Sequence, residues 1–207
     1  MPRFASLLAA AGLAAIVGGT ALAQAPETTR IRGTIVSFAG DVLTVQGAAT
    51  TYKVTLPDTV AVTWIVKSDL SKIGPNSYIG TVAVPQPDGT LKATEVQVFP
   101  EALRGRGEGS RPWDTIPNSS MTNATVDTIA STTVDKVDGR ILTVKYKDGQ
   151  KQVFVPVNVP IITYVPGDKA ALTPGAHVII IAATKNPDGT YASAGVNVGK
   201  DGLVPPM

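Results

Sequence analysis

Apolar and polar side chains alternate along this chain in short runs, the period-2 signature of half-buried β-strands. Thr51, Lys53 and Thr55 interleave with Tyr52, Val54 and Leu56, so one face of that run should meet a core and the other solvent. Ile31, Gly33 and Ile35, then Val42 to Val45, flank Ala39, Gly40 and Asp41, which predicts a hairpin with Leu43 and Val45 inward. Val60 to Val66 reads as a further strand. Ser68 to Ile73 reads as a short helical turn capped by Ser68, closed by Gly74 and Pro75. Tyr78 to Val84 and Leu91 to Phe99 then form a hairpin across Asp88 and Gly89.

This pattern occurs twice. Gly40, Leu43, Thr44 and Val45 recur as Gly139, Leu142, Thr143 and Val144, at an offset of 99. Val54, Pro57, Val60, Val66 and Asp69 recur as Val153, Pro156, Val159, Val165 and Asp168 at the same offset. The run Pro87 to Thr90 recurs as Pro187 to Thr190 at an offset of 100, so one inserted residue explains the change. Between Ile79 and Val98, 8 of 20 positions are identical to their counterparts, enough to require a shared backbone. Copy two is expected as strands Val134 to Val137, Ile141 to Tyr146, Val153 to Val155, Ile161 to Val165, Val178 to Ala182 and Tyr191 to Val198. Its turns are placed at Asp138 with Gly139, Asp148 with Gly149, and Asp188 with Gly189.

The expected fold is therefore all-β: two tandem small β-barrels of the oligonucleotide/oligosaccharide-binding (OB-like) type, which close their own edges. An open sandwich is the alternative. The divisions are 1–23 signal peptide, 24–29 short N-terminal segment, 30–99 first barrel, 100–122 connector, 123–199 second barrel and 200–207 C-terminal tail. Each repeat is expected to fold independently.

Composition sets the compartment. Arg3, the apolar stretch Ala5 to Val17, and Ala21, Leu22, Ala23 match the charged start, core and cleavage site of an export signal. Cleavage following Ala23 would leave a periplasmic or secreted protein beginning at Gln24, and no later run is long enough to span a membrane, so an integral membrane protein is not expected. Cysteine is absent, which excludes disulfides and a lipid-modified N-terminal Cys. The net charge of +2 falls to +1 without Arg3, giving no general attraction for nucleic acid or anionic membranes.

The segment Glu101 to Ser120 carries Gly105, Gly107, Gly109, Pro112 and Pro117 and reads as a connector. It holds Trp113, one of two tryptophans, which is expected to pin the connector onto a barrel or to contact a partner. Pro100 to Arg104 and on to Gly109, then Arg111 to Asp114 and Met121 to Thr125, together with the tandem pattern, resemble a family of exported bacterial proteins built from barrel-like domains of unknown function. The resemblance covers nearly the whole chain after the signal and implies fold and compartment, with no chemistry to carry onto residues.

Candidate chemistry is sparse. His177 is the single histidine and stands at the start of an apolar strand, where packing explains it. No G-x-S-x-G or H-E-x-x-H run occurs. No metal site is expected, because Asp88, Asp138, Asp148, Asp188 and Asp201 each precede a glycine and read as turn residues, and Asp135 with Asp138 makes only a weak calcium candidate. Gly105 to Gly109 lacks the lysine and the third glycine of a phosphate loop. The sharpest ligand candidate is the outer face of copy two, where Lys145 and Lys147 share a side with Phe154 and could hold an extended polyanion or peptide, with Trp113 as a further contact. The expectation is a non-catalytic binding or envelope-associated structural protein without a cofactor, its partner an envelope protein, a peptide or a polyanion. A hydrolase with an unrecognised serine is the enzymatic alternative.

Overall fold

The computed structural model describes residues 28–134 and 137–206, so the signal segment and Asp135 lie outside the described residues. The fold is all-β. The first repeat forms β1 (Thr28–Ala39), β2 (Val42–Gln46), β3 (Thr51–Thr55), β4 (Ala61–Lys67), β5 (Tyr78–Pro85) and β6 (Leu91–Val98). The connector adds β7 (Gly109–Pro112). The second repeat forms β8 (Ser120–Val134), β9 (Val137–Tyr146), β10 (Gly149–Pro156), β11 (Ile161–Pro166), β12 (His177–Lys185), β13 (Tyr191–Ala192) and β14 (Gly195–Gly199). No helix among the described residues is long and apolar enough to cross a membrane.

The hairpins follow the alternation. Leu43, Val45, Val54 and Leu56 are all buried, while Thr51 and Lys53 are exposed. Gly40 turns the β1–β2 hairpin at φ +63°, a conformation glycine adopts without steric cost.

The ladders, however, do not respect the repeat boundaries at 30–99 and 123–199. β1, β2 and β3 close into a five-strand barrel with β12 and β13, which belong to the other repeat. The same cyclic order recurs with β8, β9, β10, β6 and β5, where β5 and β6 come from the first repeat. Each repeat therefore contributes three strands to one ring and lends its last hairpin to the other, in place of the two self-contained tandem barrels expected. β4 and β11 join the rings, and Ile65 lies directly opposite its repeat counterpart Tyr164. That pairing places a pseudo-twofold axis through the middle of the β4–β11 ladder.

Three local expectations change. Asp69, not Ser68, caps the first 3-10 turn: its Oδ1 accepts from the Ser71 N–H at 2.8 Å, and Asp168 does the same for Ala170. Asp138 and Gly139 are not a turn but lie within β9, opposite Thr133 and Thr132. The glycine there serves packing, since a Cβ would come within 2.5 Å of the Phe154 ring. Third, β8 begins at Ser120, inside the expected connector, and pairs with β7.

Candidate functional site

The two rings meet along a seam. Ile65, Val82, Met121, Ile162, Tyr164 and Ile179 form its apolar core, and Trp113 of the connector is packed into it. Polar residues sit at its edge because of register. Gly80 faces Gln97 across one ladder and Asn123 across the other, while Val82 faces Glu95 and Met121, so all six share one face of the β6–β5–β8 sheet. Gly80 has to be small here. A Cβ on it would lie 2.7 Å from Asn123 Oδ1 and 3.2 Å from the Phe99 ring.

These side chains form a buried hydrogen-bonded relay. The Tyr164 hydroxyl donates to Gln97 Oε1 at 2.7 Å, and Gln97 Nε2 donates to Glu95 Oε1 at 3.1 Å. Glu95 is only 3% exposed. Burial pushes its carboxyl up to about 7, against the opposing effects of the Gln97 hydrogen bond and the Arg32 charge. Burial, with the nearby Glu95, likewise pushes the Tyr164 phenol well above its ordinary range.

The connector closes one side of the seam. Gly105, Gly107 and Gly109 all have positive φ, which lets the chain double back between the 3-10 turn Glu101–Leu103 and β7. Arginines then cluster around Trp113: the Arg30 guanidinium carbon lies 3.9 Å from the ring centroid, with Arg111 at 5.8 Å and Arg32 at 5.9 Å. Asp114 accepts from Arg30 at 3.0 Å and from Arg32 at 2.8 Å, and chiefly the Arg32 hydrogen bond holds its carboxyl below the usual range. Arg104 is paired with Glu101 and donates to the Asn76 carbonyl, tying the connector to the turn that precedes β5.

Beside this cluster is a half-open pocket of about 140 Å³, with Arg106 and Arg111 on its wall, Trp113 and Tyr164 among its aromatic lining, and Gln97 and Asn123 among its amides. A second cavity of about 270 Å³ adjoins it, sharing Arg106, Ile181 and Asn197 as lining. The second cavity exists because copy two's last hairpin is split. β14 pairs with β12 only at Val198 and Asn197, whereas β5 and β6 stay zipped from Ile79 to Pro85.

The residues singled out from sequence fare differently. Trp113 is buried at the seam and lines the pocket. Phe154 is on the same face of β9–β10 as Lys145 but is only 4% exposed, lying over Gly139 in a cavity shared with the hairpin-tip residues Gln86 to Asp88. The hairpin lent by the first repeat thus covers it, and the open lysine–phenylalanine surface is absent. Lys145 is 55% exposed and pairs with Asp127 at 3.0 Å, while Lys147 is exposed with its backbone N–H bonded to Glu108. Lys145 lies about 13 Å along the strand from the residue facing Phe154. His177 is half-buried, its Nδ1 3.2 Å from the Thr34 hydroxyl.

Sequence reasoning passed over Glu95, Gln97, Asn123, Arg106 and Arg111. A signal for two of them was present: copy one has Glu95 and Gln97 where copy two has Gly195 and Asn197, a divergence inside an otherwise matching strand. The arginines were hidden by the glycines around them. No protein-family model, curated protein or solved structure matches the chain.

Proposed function

We propose that this protein is a non-catalytic binding module, exported to the periplasm or beyond, whose ligand enters the seam pocket beside Trp113. The observation that carries the reading is the half-open pocket itself, whose wall joins Arg106 and Arg111 to aromatic and amide side chains. Asn123 and Trp113 are both more than nine-tenths buried, yet Asn123 Oδ1 and Trp113 Nε1 have no partner among the described residues. Unpaired polar atoms of this kind cost roughly 1 to 3 kcal/mol each, and both are closed off from solvent, so they strain the wall without themselves being offered to a ligand. The ionisable groups on the pocket wall also favour holding over reacting. Apart from the phenol of Tyr164 they are the guanidiniums of Arg106 and Arg111, groups built to donate hydrogen bonds rather than to act as nucleophiles. Export is supported by Arg3, the run Ala5 to Val17 and the site at Ala21 to Ala23.

The test is a thermal-melt screen of small acids, amines, neutral compounds and short peptides on the wild-type protein and on Ile181→Trp, which places a large ring where the two cavities join. A compound that binds in the pocket raises the wild-type melting temperature and leaves the variant unchanged. Equal stabilisation of both proteins by every binder would refute the site. A mature N-terminus other than Gln24 would refute the cleavage assignment.

A further inference from the structure

The seam pocket has a sign as well as a shape. Of the arginines near the seam, Arg30 and Arg32 share the single carboxylate of Asp114, and Arg104 is paired with Glu101. Arg106 and Arg111 have no carboxylate partner among the described residues, and these two line the pocket. Arg111 donates to the Gly107 carbonyl at 2.9 Å, which satisfies a hydrogen bond and leaves the charge uncompensated. Burial and then the like charge of Arg30 depress its ionisation, the response of a cation that lacks an anion. No acidic side chain lines the cavity, since Glu95 is set behind Gln97. The apolar part of the wall is Phe99, Leu103, Met121 and Ile181, beside the amides of Gln97, Asn123 and Asn197.

We propose that the seam pocket recognises a carboxylate joined to an apolar body, the carboxylate held by Arg106 and Arg111 and the body packed against Phe99, Leu103 and Ile181. The proposal rests on the reading of this pocket as a ligand site. Guanidinium matches the planar two-oxygen geometry of a carboxylate, and hydrogen bonds between two charged partners are about twice as strong as neutral ones. Two sources present this chemistry: a free organic acid small enough for the 140 Å³ pocket, and the C-terminal carboxylate of a peptide whose preceding residues run on into the 270 Å³ cavity.

The experiment follows the Trp113 indole N–H resonance in nitrogen-15-labelled protein, assigned with Trp64→Phe, during titration with phenylacetate, phenylacetamide, the tripeptide Gly-Gly-Phe and its C-terminal amide. The acids are expected to shift the Trp113 resonance saturably and to bind at least about tenfold tighter than the matching amides, about 1.4 kcal/mol. Changing Arg106 and Arg111 together to Gln should abolish that preference while the double variant keeps a cooperative melt, slightly lowered by loss of the Arg111 bond to Gly107. Tighter binding by Gly-Gly-Phe than by phenylacetate assigns the site to a chain end, and the reverse order assigns it to a free acid. Amides that bind as well as acids, or a double variant that keeps the preference, overturn the carboxylate while leaving the pocket as a ligand site. If neither acid nor amide binds, the carboxylate is overturned, and the Ile181→Trp screen then decides separately whether the pocket binds anything.

Discussion

Glu95 offers a measurement of what the seam costs the fold. The side chain is on β6 opposite Val82, 3% exposed, and its hydrogen-bond partner is an amide rather than a cation. Its carboxyl titrates near 7 in the folded protein against an ordinary 4.5. Because the native state holds this proton more tightly, it binds more protons than the unfolded chain between those values, and stability must fall as pH rises through that window. The loss begins near 4.5 and is complete just above 7. Integrated from roughly pH 5 to roughly pH 8, a shift of this size removes about 2 to 3 kcal/mol at 1.36 kcal/mol per unit. Carboxyls held below their ordinary range, such as Asp114, act in the opposite direction and at more acid pH, so they leave this window clear. Glu95→Gln keeps the shape and the acceptor for Gln97 but removes the ionisation. The variant should match wild type near pH 5 and be about 2 to 3 kcal/mol more stable near pH 8, a gain of roughly 5 to 10 °C in melting temperature. Urea denaturation at both pH values measures it. Parallel pH profiles for the two proteins would mean that the carboxylate is solvated or fully paired, and would refute the reasoning.

Other perturbations probe the exchange of strands and the core. A fragment ending at Phe99 lacks the β12–β13 partners of its ring and should show no cooperative melt alone, while mixing it with Asn123 to Met207 should restore one; folding of either half in isolation, read by circular dichroism, would refute the exchanged pairing. Leu43→Ala deletes a fully buried side chain and should cost about 2 to 5 kcal/mol by denaturant titration, whereas the half-exposed Val36 should tolerate alanine with little loss. Gly139→Ala would set a Cβ 2.5 Å from both the Phe154 ring and the Val155 carbonyl; a lower melting temperature is expected, with Phe154→Leu partly restoring it, and an unchanged melt would show that β10 can move aside.

The sequence is most readable where partners are neighbours. Alternation at Thr51 to Leu56 and the Gly40 and Gly89 turns mark hairpins whose two strands are adjacent in the chain, and those hairpins form as expected. Among the described residues every ladder within a repeat is of this kind except β12–β14, which spans the two-residue β13. Every ladder that closes a ring or joins the two rings runs between repeats, including all four parallel ones. Period-2 patterning states which face of a strand is buried and nothing about what buries it, so a hairpin fits its own ring and its twin's equally well. The site was obscured for the same reason. Glu95 and Gln97 alternate with Val96 and Val98 and so read as the wet side of β6, but that side is covered by β11 and the connector. Lys145 and Phe154 were correctly placed on one face, and the hairpin that buries Phe154 came from the distant repeat.

Exchange also supplies what either repeat lacks alone. A unit of about 70 residues can hide only about 60% of its surface, a marginal core without disulfides. Lending a hairpin adds the β4–β11 seam, whose apolar core, Ile65 and Val82 with Ile162, Tyr164 and Ile179, belongs to neither ring separately. A perfectly symmetric seam would carry the same side chains on both sides of the axis. Here Tyr164 faces Ile65, Gln97 stands opposite Asn197 in the repeat, and a single connector brings Trp113, Arg106 and Arg111 to one side only. The pocket therefore has unlike sides, with its cations on the connector's side only. Under the carboxylate proposal, that asymmetry is what orients a ligand charged at one end and apolar at the other.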